Sequence, residues 1–194
     1  MDFSHYSDQP VQTAVDLVNS LDVVSGVDKL ATPVDVAAFI ESHDGEWSRP
    51  GWEPSERDLH ETRALRARLR QVFESADDAE AAAVLNDLLS DVNAVPRLSV
   101  HGPGPHLHFE SEGDSLWRYL GAITAMGLSV ALIEGGFERF GICQSSSCAD
   151  VFVDNSRNKS RLHCSDTCTT RENVAAHRAR QRDLTVRGAP RLGS

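Results

Sequence analysis

Four cysteines lie within 26 residues near the carboxyl-terminal end of the 194-residue chain. They form two close pairs, Cys143 with Cys148 and Cys164 with Cys168, which are separated by fifteen residues. Tetrahedral zinc requires this kind of spacing, since each pair can supply two thiolates from a single turn. Four thiolates leave no coordination position open, so the spacing predicts one structural Zn²⁺. Two disulfides or free thiols are the less favoured alternatives, and the neighbouring His163 is expected not to replace a cysteine.

The start of the chain bears on the redox state of these cysteines. Residues 1–10 lack the basic start and the apolar run of a secretory signal. The uncharged stretch over residues 119–133 is shorter than the roughly 20 residues of a membrane span, so we expect a buried core helix there and no membrane. A cytoplasmic, reducing compartment is therefore expected, and such compartments disfavour disulfides.

The residues around the cysteines predict the element that holds the metal. An apolar strand is predicted at residues 151–153, followed by a turn at residues 154–156 and a return through Leu162. A helix is predicted to begin at Cys168. Together these elements predict a treble-clef-like zinc finger made of a β-hairpin and a helix. We place it at residues 139–185, after a helical domain at residues 1–138 and before a flexible tail at residues 186–194.

Charge is divided unevenly between these segments. The chain has 19 Lys and Arg against 29 Asp and Glu, a net charge of −10, which argues against nucleic-acid binding by the chain as a whole. From Arg139 onward ten basic residues face five acidic ones, or +5, and the rest of the chain carries nine basic and 24 acidic residues, or −15. This asymmetry predicts an anionic partner at the carboxyl-terminal end.

Four arginines of the last predicted helix are candidates for contacts with double-stranded DNA. Arg178 and Arg182 lie within roughly 20° of Arg171 around a helix, and Arg180 is expected to widen that face. Arginines on one face of a small module suit contacts with phosphate groups.

Three further basic residues precede that helix. Arg157, Lys159 and Arg161 alternate in the sequence and would share one side of an extended segment. The two basic surfaces together favour DNA as the partner. A solvated or protein-binding surface is the alternative, and no preference for a DNA sequence follows from the residues alone.

The rest of the chain has mostly helical patterning. Apolar residues at helical spacing predict helices at about residues 11–24, 33–40, 55–73, 78–89 and 115–134. Ser55 with Asp58 resembles a capping box, and Asp77 or Asp78 can cap the helix that follows. Two short alternating runs, at residues 98–100 and 107–109, predict a small β-hairpin. The expected fold class is therefore mostly α, with one small hairpin before the zinc finger.

Some polar residues outside the finger could bind a ligand. Asp16 and Asn19 lie one turn apart on the first helix and could hydrogen-bond a small effector, although capping or tethering a neighbouring loop is the favoured interpretation. A solvated helix face balanced by nearby acids is the favoured interpretation for Arg63, Arg66, Arg68 and Arg70. A second metal or an anionic ligand could be held by His101, His106 and His108, but a polar hairpin that binds no metal is the favoured interpretation. No nucleophile elbow, phosphate-binding loop or dinucleotide-binding turn occurs, so we expect no enzyme activity.

Two segments resemble a known family. Residues 152–161, the later cysteine pair and residues 177–180 are similar to a CGNR zinc finger, which is named for a Cys-Gly-Asn-Arg run beginning at its last zinc ligand. Here that run is Cys168-Thr169-Thr170-Arg171, so the ligand and the arginine are kept but Gly and Asn are not. Residues 14–21 are similar to the opening helix of the alanine-rich ABATE domain, which precedes this finger.

The resemblance implies a bacterial, stress-linked transcription regulator. Its finger would bind DNA, and its helical domain would respond to a small-molecule or protein effector. Two other functions stay open on the residues alone: a protein-interaction module whose basic finger docks on an acidic surface, and a small-molecule-binding protein whose finger is purely structural.

Overall fold

The computed structural model describes residues 4–43, 53–100, 106–111 and 115–187. Its helices are α1 (Ser4–Val18), α2 (Pro33–His43), α3 (Glu56–Glu74), α4 (Asp78–Asp91), α5 (Leu116–Gly135) and α6 (Asp166–Arg187). Its strands are β1 (Ala94–Ser99), β2 (His106–Ser111), β3 (Phe140–Ile142) and β4 (Val151–Val153), which pair as two antiparallel hairpins. The expected fold class is confirmed, because a mostly helical part with a small hairpin precedes the second hairpin and the last helix.

Helix α5 is the centre of the helical part. It packs against α1, α3 and α4, and Leu120, Ala125 and Leu128 are among its buried residues. Gly127 permits the close approach of α1, since a Cβ atom there would lie 2.7 Å from the Cβ atom of Pro10. By length and composition α5 could cross a membrane. The helices packed around it give it the position of a core helix.

The first helix ends earlier than the apolar spacing predicts. That spacing predicts a helix over residues 11–24, whereas α1 stops at Val18. The residues that follow form a turn in which the Asp22 carboxylate accepts hydrogen bonds from two backbone N–H groups, and Gly26 has a left-handed φ of 75°. A side chain that binds nearby N–H groups competes with helical bonding, so the helix prediction is wrong beyond Val18. The turn brings Asp28 back beside Leu21.

The predicted caps of α3 and α4 are confirmed. The Ser55 hydroxyl accepts from the Asp58 N–H at 3.3 Å, and the Asp58 carboxylate accepts from the Ser55 N–H at 2.8 Å, which completes a capping box. The Asp77 carboxylate accepts from the N–H groups of Ala79 and Glu80, each at 2.9 Å. These bonds fix where both helices begin.

The arginines of α3 have nearby acceptors, as expected, but one of them is not on a solvated face. Arg68 pairs with Asp91 at 2.8 Å on the surface. The side chain of Arg66 is only 7% exposed, and two of its N–H groups reach the Asp28 carboxylate at 2.6 and 2.8 Å. The expectation of a solvated face is therefore wrong for Arg66, which ties α3 to the turn after α1. The two hydrogen bonds to the Asp28 carboxylate compensate for burying the charge of Arg66.

The first hairpin is longer than predicted. Its pairing runs from Ala94 opposite Ser111 to Ser99 opposite His106, so β1 begins four residues before the predicted start at residue 98. Pro96 lies within β1, and an edge strand tolerates it. His101 and the side chains of His106 and His108 lie outside the described residues, so the expectation that they bind no metal stays a prediction.

The second hairpin packs on the helical part. Phe140, Val151 and Val153 belong to the same apolar core as residues of α1, α3 and α5. Asn19, just after α1, binds both backbone polar groups of Val151. Its Nδ2 donates to the Val151 carbonyl at 2.9 Å, and the Val151 N–H donates to its Oδ1 at 2.8 Å. Shared burial and these two bonds fix the strands relative to the helices.

Candidate metal centre and basic helix

The four cysteine sulfurs form one cluster. Their Sγ atoms all lie within 4.8 Å of one another, with 3.6 Å between Cys148 and Cys164 and 3.8 Å between Cys164 and Cys168. A tetrahedral centre with Zn–S bonds of about 2.3 Å has S···S distances of about 3.8 Å, so this donor set fits zinc. All four cysteines are free of disulfides. The site holds one structural Zn²⁺, and His163 is not part of the donor cluster.

Cys143 and Cys148 lie in the connection between β3 and β4. The sequence predicts that residues 151–153 pair with a return through Leu162, and this pairing is wrong. Strand β4 pairs with β3 instead, because the apolar residues of both strands belong to the core shared with the helices. The Leu162 carbonyl nevertheless contacts this connection, where it accepts from the Gln144 N–H at 3.0 Å.

The second cysteine pair spans the start of α6. Cys164 precedes the helix, and Cys168 lies in its first turn. The Ser165 hydroxyl accepts from the Cys168 N–H at 3.3 Å, and the Ser165 carbonyl accepts from the Thr169 N–H at 3.1 Å, so Ser165 caps the helix. Thr169 stands where the CGNR motif has Gly. It has no left-handed φ, and its hydroxyl donates to the Ser165 carbonyl.

Two residues of α6 tie the helix to the loop of the first cysteine pair. The Glu172 carboxylate accepts from the Ser145 hydroxyl at 2.8 Å and from the Ser146 N–H at 2.9 Å. The N–H of Ser146 and the neighbouring hydroxyls lower the pKa of Glu172. The Arg171 guanidinium donates to the Ser147 hydroxyl at 2.7 Å. The sequence interpretation missed Glu172, although its position one turn after Cys168 places it on the helix face of that ligand.

Asp154 organises the loop between β4 and the second cysteine pair. It is 3% exposed, and its carboxylate accepts from the N–H groups of Ser156 and Arg161, both at 2.8 Å. Burial alone would raise the pKa of Asp154, but these bonds and nearby Arg139 hold it below the ordinary value. The sequence interpretation treated Asp154 only as a turn residue. An Asp followed two residues later by Ser after a buried strand is a recognisable signal for such a turn.

The thiols resist ionisation unequally. Burial raises the pKa of Cys148 and raises that of Cys164 to about 11. The hydrogen bond from the Ser165 hydroxyl lowers the pKa of Cys168. Zinc binds thiolates, so loading this site at neutral pH must release protons from the thiols that are still protonated.

Lys159 and Arg161 make contacts inside the protein, Lys159 with the end of the helical part and Arg161 within the finger. Their segment is not extended, since Lys159 has a left-handed φ of 48°, so the prediction that Arg157, Lys159 and Arg161 share one side of a strand is wrong. The Lys159 ammonium binds the Gly135 carbonyl at 2.8 Å and also pairs with Glu138. Arg161 donates to the carbonyls of His163 and Cys164, and its guanidinium lies 4.9 Å from the Phe152 ring centroid. Arg157 is exposed.

Helix α6 projects from the metal centre with its arginines outward. From Asn173 to Arg182 every residue is exposed. The helix runs unbroken, so Arg178 lies near the direction of Arg171, whereas Arg180 lies about 180° away from Arg171 and does not widen that face. Arg182 lies one helical turn after Arg178, on nearly the same side of α6. Arg182 also interacts with another residue of the protein. The arginines therefore occupy two sides of the helix.

A cavity of about 730 Å³ lies where the helical part meets the finger. Asp16 and Asn19 line it, together with residues of α5, β4 and the second cysteine pair. Asn19 is engaged with Val151 of β4 rather than with the neighbouring loop that the sequence predicts, and Asp16 accepts from Gln12 and lies 2.9 Å from His43 Nε2. Asp16 and Asn19 both line the cavity, but the side-chain amide of Asn19 is already hydrogen-bonded to the Val151 backbone.

The fold and site define a helical protein with a treble-clef-like zinc finger at its carboxyl-terminal end. Residues 12–135 match the family model ABATE, described as "Putative stress-induced transcription regulator", and residues 139–181 match the CGNR zinc finger. The first match covers more than half of the chain, so the protein belongs to the ABATE family. Neither description names an enzyme activity. A comparison with curated proteins gave no match.

Proposed function

We propose that this protein is a zinc-dependent transcription regulator that binds double-stranded DNA through its finger. The observation that carries the proposal is the position of α6, which starts at the metal centre and then extends with exposed arginines. In this proposal residues 1–138 form the regulatory domain, residues 139–185 form the DNA-binding finger, and the protein acts in the cytoplasm at the nucleoid.

The metal would give the helix a fixed orientation. Cys168 is a ligand, and Arg171 and Glu172 in the next turn hold the loop that carries Cys143 and Cys148. Beyond that turn α6 buries no residue up to Arg182, so its direction depends on the anchored end. Structural zinc sites of this kind contribute directly to folding.

The charge distribution supports a phosphate-binding helix. Residues 174–182 contain Arg178, Arg180 and Arg182 and no acidic residue. An α-helix fits the major groove of B-DNA, where arginines on two sides of the helix can reach the phosphate groups of both flanking strands. Arg157 is a further candidate on the surface of the finger. Lys159 and Arg161 are poorer candidates, because internal carbonyl groups occupy their donors.

The junction cavity supports an effector function for the helical domain. It touches α1, α5, β4 and the segment of Cys164, so a small molecule bound there would contact both family segments. Such a ligand could alter how the hairpin sits on α1 and thereby change the orientation of α6. A protein effector acting on the same junction is the alternative.

Selection of bound sequences from random duplex DNA tests the proposal. Zinc-loaded full-length protein should enrich duplexes over successive rounds at low salt, whereas a Cys168→Ser variant should not. Absence of enrichment by the zinc-loaded protein would contradict the proposal and favour a finger that docks on an acidic protein surface. Metal content measured on both samples establishes that the comparison is between loaded and unloaded sites.

A further inference from the structure

A second cavity, of about 430 Å³, lies on the helical part between α3 and the start of α5. It is remote in sequence from both cysteine pairs, and the wall residues that the structure describes all lie outside the finger. One side is a stripe of α3 that includes Arg57, His60 and Arg68, and the other side carries Trp117 and Arg118. Its size is within the range of about 300–1,000 Å³ that small-molecule sites occupy.

The charge of this cleft is opposite to that of the domain around it. Among the residues that the structure describes, three arginines line it against one carboxylate, Glu61, although residues 1–138 carry a net charge of −15. The Arg57 Nε–H group donates to the Glu61 carboxylate at 2.8 Å, and one N–H group of Arg68 donates to the Asp91 carboxylate at 2.8 Å. Each of these guanidinium groups keeps further donors, because a guanidinium has five N–H groups.

Arg118 is the cation of the cleft without a carboxylate partner within the described residues. Its guanidinium carbon lies 5.4 Å from the Trp117 ring centroid, an arrangement that holds the charge beside an aromatic face. Arg118 and Trp117 are both partly buried. Ala64 and Leu65 add apolar wall on the α3 side, and Leu65 is 2% exposed. The cleft thus combines cationic donors with an aromatic ring and an aliphatic surface.

We propose that this cleft binds a small aromatic carboxylate. A carboxylate is the anion that a guanidinium binds in bidentate geometry, and an aromatic ring adds stacking against Trp117 and contact with the exposed side chain of Ala64. A bare inorganic anion would leave the apolar wall unused, and a neutral aromatic would leave Arg118 without a counter-charge. Duplex DNA is disfavoured at this cleft by the −15 charge of the surrounding domain. The inference does not depend on DNA binding by the finger.

Titration of the ¹⁵N-labelled, zinc-loaded full-length protein with 2-naphthoate tests the inference. Backbone amide signals should shift saturably and the shifts should be confined to residues 57–68 and 115–118. Arg118→Gln should weaken the affinity about tenfold or more, because it removes a charge-assisted hydrogen bond. Arg57→Gln, on the opposite wall, should weaken binding in the same direction, and Arg180→Gln on α6 should leave it unchanged.

Two further probes separate the parts of the ligand. The neutral amide 2-naphthamide and inorganic phosphate should each bind at least about tenfold more weakly than 2-naphthoate. The inference is overturned by absence of saturable shifts at millimolar 2-naphthoate, by shifts centred on the junction cavity, or by equal binding of either probe. Unchanged affinity in both Arg118→Gln and Arg57→Gln would also overturn it, and an unchanged helical circular dichroism spectrum establishes that the variants are folded.

Discussion

The Asn19 side chain and the Val151 backbone form a reciprocal pair of hydrogen bonds, at 2.9 and 2.8 Å, between positions 132 residues apart. One partner lies in the ABATE segment and the other in the zinc-finger segment. The amide extends the edge of β4 as a further strand would, so α1 and the finger hairpin are held as one unit. A movement of α1 would therefore be transmitted to the strand next to the metal centre.

Replacing Asn19 by Leu should loosen this connection. The substitution keeps the number and branching of the side-chain heavy atoms but leaves the N–H and C=O of Val151 without these partners, a loss of about 1–3 kcal/mol of unfolding free energy. Urea unfolding followed by circular dichroism measures that loss. Gln12→Leu is the matched control, because Gln12 is exposed on α1, the helix that Asn19 follows, and its side chain donates to Asp16. Equal stability of Asn19→Leu and wild type would show that the pair does not hold the finger.

Asp28→Asn should be among the most destabilising single changes in the helical part. It removes the carboxylate partner of Arg66, whose side chain is only 7% exposed, and an unpaired buried charge costs about 3 kcal/mol or more. Thermal unfolding at neutral pH measures the effect. The matched control is Asp91→Asn, which breaks the surface pair with Arg68 and should change stability by less than about 1 kcal/mol. A small effect of Asp28→Asn would contradict the assigned role of Arg66.

The ion pair between Asp28 and Arg66 predicts that the stability of the protein depends on pH. The hydrogen bonds from Arg66 lower the pKa of Asp28 below its ordinary value of 3.8. A carboxyl group with a lowered folded pKa contributes stability above its unfolded pKa and loses that contribution as the pH falls through the folded pKa. The stability difference between wild type and Asp28→Asn should therefore be full at neutral pH and shrink below about pH 4. Parallel unfolding curves from pH 7 to pH 3 measure it, and a difference independent of pH would contradict this account.

Arg161→Gln should act on the finger's structure. Arg161 binds two carbonyl groups beside the metal ligand Cys164 and lies over Phe152, so its loss should accelerate zinc release to a chelator several-fold. Transfer of zinc to a colorimetric chelator gives the rate. Arg178→Gln, on the exposed helix, is the matched control and should release zinc at the wild-type rate. Identical rates for Arg161→Gln and wild type would contradict the structural role assigned to Arg161.

The parts of the structure that follow local rules could be predicted from the sequence. The cysteine spacing predicts the metal cluster, and Ser55 with Asp58 predicts the start of α3, because both depend on residues close in the chain. The pairing of β4 could not be predicted, since it is decided by the core that β3 and β4 share with distant helices.

Individual polar residues were harder to predict than the elements that carry them. Alternation in the sequence placed Lys159 and Arg161 on a shared surface, but the Asp154 carboxylate folds their loop so that both side chains bind internal carbonyl groups. The sequence predicts that Asn19 caps or tethers a neighbouring loop; in the structure it tethers strand β4 instead, and a partner 132 residues away could not be named from local sequence.

The salt dependence of DNA binding tests the central claim most directly. Fluorescence anisotropy with a random-sequence duplex should give a log affinity that falls linearly with log salt for the zinc-loaded full-length protein. Arg178→Gln combined with Arg182→Gln should flatten the slope by up to about two units, since each lost phosphate contact removes about 0.9. The double variant Arg57→Gln and Arg68→Gln removes the same charge from the helical part and should leave the slope unchanged. An unaltered slope in the Arg178 and Arg182 variant, with wild-type zinc content, would contradict the claim that α6 is the DNA-binding element.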